Sequence, residues 1–164
     1  MKTSSSLAGR SRARGQNFWG WFTDLRETTE ASGRTFGAYC WHKGAEQGRF
    51  RDLSAHDDSL TEQVDEFTDS ESWVDLLDTW KHSYTTGTGN GLKVVADVAG
   101  FAWRVDTPSG ELSMTYYNDQ LLADDAARVD EARAWLLSYN EDDCLATHHI
   151  RNWLTGLVAA SAAG

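Results

Sequence analysis

The sequence predicts a helix-rich α/β domain, and three observations point that way. Apolar residues recur at spacings of three and four through most of the chain, as they do along the core-facing stripe of a helix. One stretch breaks that rhythm: Arg34 to His42 follows the helix stop at Gly33, is rich in aromatic residues and is short enough to be a strand entering a sheet. Finally, 164 residues with eight tryptophans supply enough bulky side chains to bury the core of one domain.

Charge and cysteine usage narrow the class further. A formal net charge of −10 repels phosphate backbones unless a metal ion or a local basic patch intervenes, which argues against a protein that coats nucleic acid generically. Cys40 and Cys144 lack C-x-x-C spacing and are too few for a disulfide framework or a zinc site, so a reducing cytoplasm is the expected compartment. There is no run of eighteen apolar residues, and the first fifteen residues have no apolar centre, so neither a membrane span nor a signal peptide is expected. Lys2, Arg10, Arg12 and Arg14 lie among Ser, Gly and Ala, a composition that predicts a disordered basic tail over residues 1–15 ahead of one body over residues 16–164.

In chain order, Phe18, Trp19, Phe22 and Leu25 predict a core helix that stops near Ser32-Gly33. Beyond the strand at 34–42, Lys43 to Glu46 turns into a helix carrying Phe50 and Leu53. Glu46 then stands just past the C-terminal end of a strand, where α/β proteins gather site residues. His56 to Ser59 is a polar connection, and Leu60, Val64 and Phe67 mark the next helix. Trp73 to Trp80 reads either as a helix or as a short strand followed by one. Thr85 to Gly91 is a loop whose glycines lack the spacing of a phosphate-binding loop. Leu92 to Ala99 predicts a two-turn helix with Leu92, Val95, Val98 and Ala99 inward and Gly100 as its cap. Pro108-Ser109-Gly110 is turn chemistry, Met114 to Leu121 suggests a short helix, and another begins around Asp125.

That last helix leads into Tyr139-Asn140-Glu141-Asp142-Asp143-Cys144-Leu145-Ala146-Thr147. Leu145, His149 and Trp153, with Ile150 and Leu154, predict an amphipathic stripe. The three acids have two readings. They can cap a helix N-terminus, where carboxylates satisfy unpaired N–H groups, or they can serve chemistry. Tyr139 and Asp143 are four residues apart, which aligns a phenol and a carboxylate on one helical face. His42, His56, His82, His148 and His149 form no zinc pattern with the cysteines, and Cys144 has no base at a defined spacing. Lys93 is within reach of a phosphate role, although a lysine on a helix is more commonly solvated.

Tyr-x-x-x-Asp on a C-terminal helix is the third motif of the DEDDy 3′-5′ exonucleases, and Tyr139 to Asp143 matches it. The longer string from Tyr139 to Thr147, with Arg151, Trp153 and Leu154, resembles the end of the YprB-type RNase H-like domain of predicted RecB family nucleases. Tyr39 to Glu46 is similar to that family's second-motif region, and Gly91-Leu92-Lys93 with Gly100-Phe101 to its Gly-Leu-Lys segment. The resemblance covers residues 18–157. It implies two-metal phosphodiester hydrolysis of DNA or RNA with Mg2+ or Mn2+, Asp143 and Glu46 as metal ligands, Asp142 as an adjacent alternative, and Tyr139 orienting the attacking water. Asp75 matches an acid after the second motif, with a structural role the simpler reading.

The family's first motif, an Asp-x-Glu on the first strand, has no counterpart, since residues 1–17 contain no acid. The resemblance therefore implies an N-terminally truncated RNase H-like domain with a small residual sheet, weak metal binding, and little or no activity of the isolated chain. A second polypeptide supplying the missing strands would complete it. The alternatives are a non-catalytic interaction module and a gene remnant.

Overall fold

In the computed structural model, residues 4–55, 57–85 and 87–162 are described. The chain divides into two compact units, residues 1–82 and 83–164, where the sequence alone suggests a single body from residue 16 onward. Helix α1 spans Ser4–Ala31, strand β1 Ala38–Cys40, α2 Lys43–Ser54, α3 Asp58–Asp69, β2 Trp73–Asp75 and α4 Leu76–Ser83. After the loop come α5 Leu92–Val98, α6 Gly110–Leu122 and α7 Ala126–Ala162. Helix α1 thus takes in residues 4–15, which composition assigns to a disordered tail; residues 1–3 of that tail, and His56 and Thr86, lie outside the described residues.

In the first unit the aromatic residues do the packing. Trp19 of α1, Phe36 and Cys40 around β1, Leu60, Val64 and Phe67 of α3, and Trp73 of β2 form one buried cluster, with Phe18, Phe22 and Phe50 against it. The rings meet mainly edge-to-face, as with Phe22 and Phe67 at 4.7 Å between centroids, while Phe67 and Trp73 stack at 5.3 Å. Both arrangements suit the quadrupoles of aromatic rings. Gly33 at φ 75° ends α1, a backbone conformation that a Cβ disfavours. The extended segment leaving it becomes β1, which pairs in parallel with β2, Cys40 lying opposite Asp75. The stretch at 73–80 is therefore a short strand followed by a helix.

In the second unit, α5 and α6 both pack on α7. Ser109 caps α6 by accepting a hydrogen bond from the Leu112 N–H at 3.0 Å. In α5, Val95 and Ala96 are fully buried while Val98 is 52% exposed, so the inward face lies one position away from the one the spacing predicts at Val98. Gly100, at φ 81°, terminates that helix as expected.

Burial ranks these residues for mutation. Phe67→Ala should lower the unfolding free energy by about 3–5 kcal/mol through cavity formation, while Val98→Ala should change it by less than about 0.5 kcal/mol, as at an exposed site. Chemical denaturation followed by circular dichroism measures both.

Candidate functional site on the C-terminal helix

Helix α7 is one unbroken element of 37 residues. Asp125 opens it by accepting from the Ala127 N–H. The acids Glu141, Asp142 and Asp143 therefore sit in its middle, and the helix-cap reading of them is overturned: no unpaired N–H groups exist there to be capped. The buried stripe is also rotated from the one the sequence predicts. Tyr139, Asp142, Ala146, Ile150 and Leu154 are buried, whereas Leu145 is 42% exposed. This stripe keeps the three-and-four spacing but admits a carboxylate and a small alanine.

At 1% exposure, Asp142 needs a partner, because an isolated buried carboxylate is costly. Arg104 supplies it twice. Its backbone N–H donates to Asp142 Oδ2 at 2.8 Å and its Nε to Oδ1 at 2.6 Å, while its Nη2 donates to Glu141 Oε2 at 2.8 Å. Glu141 first and Asp142 second raise the Arg104 guanidinium above its ordinary range, so it stays charged. Both oxygens of Asp142, an alternative ligand by resemblance, are thus engaged by one arginine.

Asp143 faces a different cation. Lys93 Nζ lies 3.9 Å from Asp143 Oδ1 and donates to the Tyr139 hydroxyl at 2.9 Å. Tyr139 and Asp143 accordingly meet one ammonium from one face of α7, as their spacing predicts. The Tyr139 ring stacks on Trp135 at 5.0 Å, and Trp135 stacks on Tyr116 of α6 at 4.4 Å. Beside this stack lies an open cleft of about 540 Å³ whose lining includes Arg104, Tyr116, Glu131, Trp135 and Ser138. His149 contacts the Ala99 carbonyl at 2.8 Å and fixes the turn that leads to Phe101.

Glu46 belongs to the first unit. It is exposed in the first turn of α2, just beyond the end of β1, as the sequence suggests. Asp75 has the structural role anticipated for it. One of its oxygens accepts from the Lys43 N–H at 2.9 Å, and the other from the N–H groups of Leu77 and Asp78 at 2.9 and 3.2 Å, so it caps α2 and α4 together. Opposite it in the ladder, Cys40 receives the Trp73 indole N–H at 2.8 Å. Burial pushes the Cys40 thiol up to about 11, with smaller upward pushes from Asp75 and Glu46, despite the Trp73 hydrogen bond.

Sequence reasoning gave Arg104 and Trp135 no role in the site. The available signal was charge: three consecutive acids on a helix need a cation nearby, and Arg104 follows the Gly100-Phe101 turn that brings the chain back to α7.

A comparison with family models matches residues 47–155, about two thirds of the chain, to the RNase H superfamily. The chain belongs to that superfamily. The matched span contains Lys93, Arg104, Tyr139, Asp142 and Asp143 and begins one residue after Glu46. No curated protein and no solved structure matches the chain.

Members of this superfamily typically use divalent metal ions. The residues gathered around Asp143 do not fit a two-ion centre. Glu141 and Asp142 are engaged by Arg104, an ammonium stands beside Asp143, and among the described residues no three of His, Cys, Asp and Glu cluster to hold a metal.

Three outcomes are expected from this geometry. Arg104→Met and Asp142→Ala should each lower the thermal midpoint by several degrees, and the double variant should lose less than the sum of the two, because the single changes strand a buried charge or its partner. In thiol labelling at pH 8, exposed Cys144 should react well before Cys40, which stays protonated. Between pH 9 and 11 the unfolded Cys40 thiol loses its proton while the folded one keeps it, so stability should fall across that window and be insensitive to this group below it.

Proposed function

We propose that the chain is a nuclease-family domain, related by descent to metal-dependent 3′-5′ exonucleases of the DEDDy, YprB-like type, whose substrate is a phosphodiester of DNA or RNA. The observation that carries this reading is the shared face of Tyr139 and Asp143, which meet one cation, Lys93, within the span matched to the RNase H superfamily. In this reading Asp143 is the carboxylate turned toward the reacting centre and Tyr139 presents its hydroxyl to the attacking water. By resemblance Glu46 is the second-motif acid, and Asp142 serves as the anchor that holds Arg104.

One carboxylate beside a lysine does not offset the repulsion between two divalent ions packed together. The 164-residue chain alone should therefore show little or no hydrolysis with Mg2+ or Mn2+. The test is a nuclease assay on single-stranded DNA and RNA, with the chain as it stands and with a strand bearing Asp-x-Glu supplied ahead of it. Hydrolysis that appears only with the strand, and that Asp143→Ala abolishes and Glu46→Ala reduces, supports the reading. Hydrolysis by the chain alone that Asp143→Ala abolishes would show that the site is complete without that strand. Failure of both forms on both substrates would leave the non-catalytic interaction module as the better account.

A further inference from the structure

Helix α6 uses one face within its own unit and leaves the other bare. Tyr116 stacks on Trp135 of α7, and Asp119 accepts from Arg128, whose guanidinium also stands over the Tyr116 ring at 5.6 Å from its centroid. At 100° per residue, Met114, Tyr117 and Leu121 lie at i, i+3 and i+7 on the side turned away from Tyr116 and Asp119. Together with Leu122 they are 49 to 76% exposed. A helix with an apolar stripe normally buries it. In α6 the stripe facing α7 is covered, and the one on the far side is not.

The bare stripe amounts to an apolar patch on the order of 400 Å², a size that marks contact sites on soluble proteins. It is also free of charge: from Leu112 to Leu122 the one charged side chain is Asp119, which faces Arg128. Copies of a chain with net charge −10 repel one another and close most readily where neither presents a charge. The stripe is, moreover, its own complement. A two-fold axis passing between Tyr117 and Asn118 sets two α6 helices antiparallel, so that Met114 of one copy meets Leu121 of the other and each Tyr117 meets the opposite Asn118. This is the reciprocity that a two-fold contact demands. We propose that α6 is the contact helix of an antiparallel two-fold dimer of this chain. Two such patches closing on each other bury about 800 Å², less than the roughly 1,200 Å² at the lower end of stable interfaces, so the dimer is weak and reversible. Glu111 and Asp124, at the two ends of α6, come opposite each other across the axis, and salt that screens them strengthens the association.

Sedimentation of the full chain over a wide range of concentration, at low and high salt, tests this. The expected result is a monomer–dimer equilibrium with a dissociation constant on the order of 10–100 µM that tightens as salt is raised. A monomer at every concentration, or a dimer that salt dissociates, would overturn the proposal. Leu121→Glu and Met114→Lys should each weaken dimerisation about tenfold or more, because each places a charge where the contact must be dry. Combined in one chain they should recover much of the loss, since the new carboxylate of each copy then faces the new ammonium of the other. A double variant as weak as the weaker single one overturns the antiparallel pairing. Both residues are exposed, so circular dichroism should show unchanged unfolding midpoints. If a variant does not fold, mixed labelled and unlabelled copies of the unaltered chain decide the matter. Nuclear Overhauser contacts between the Met114 methyl of one copy and Leu121 of the other support the pairing, and their absence where the dimer is populated overturns it. Hydrolysis is read separately by the nuclease assay, so either outcome leaves the nuclease reading as it stands.

Discussion

A carboxylate buried halfway along a helix is the constraint around which the C-terminal unit is arranged. Asp142 has no helix end nearby to supply unpaired N–H groups and almost no access to water, so compensation must arrive from elsewhere in the chain. Arg104 brings both its main chain and its side chain. That double attachment ties the segment after Gly100 to α7, and His149 secures the same segment from further along the helix. Breaking a buried pair by removing one member is far more damaging than never having had it, so this contact specifies an arrangement even where its net contribution to stability is small.

The three consecutive acids face three surroundings because each residue turns about 100° around the helix axis. Glu141 points outward to the exposed end of the Arg104 guanidinium, Asp142 inward to its Nε, and Asp143 to Lys93 on the Tyr139 side. A single residue step thus separates an anchoring carboxylate from one that faces Lys93. Tyr139 is steadied from behind by its stack on Trp135 and in front by the ammonium, so its hydroxyl has little orientational freedom.

Much of the fold was legible in the sequence where one face alone decides burial. Leu60, Val64 and Phe67 marked α3 correctly, and Gly33 and Gly100 marked helix ends through backbone freedom that other residues lack. The pairing of Tyr139 with Asp143 was legible for the same reason, since it depends only on helical periodicity. What failed was what depends on distant partners. A helix beginning around Asp125 was legible, but nothing in the neighbourhood of the acids reveals that it runs on through them without a break, so the cap stayed an open reading. Leu145 looked buried because hydrophobicity was the guide, whereas Asp142 takes the inward place with Arg104, 38 residues away in the chain, as its partner. Val98 was misplaced for a related reason, as a seven-residue helix is too short for its spacing to fix one face.

The double duty of Asp75 has a consequence for the small sheet of the N-terminal unit. Three residues per strand provide few ladder hydrogen bonds, and short strands of this kind slip register easily. Here a slip of β2 by one position would carry the Asp75 carboxylate away from Lys43, Leu77 and Asp78 at once, leaving two helices uncapped. The alignment of the strands is thus enforced from outside the sheet, by a side chain that works as a pawl against the first turns of α2 and α4.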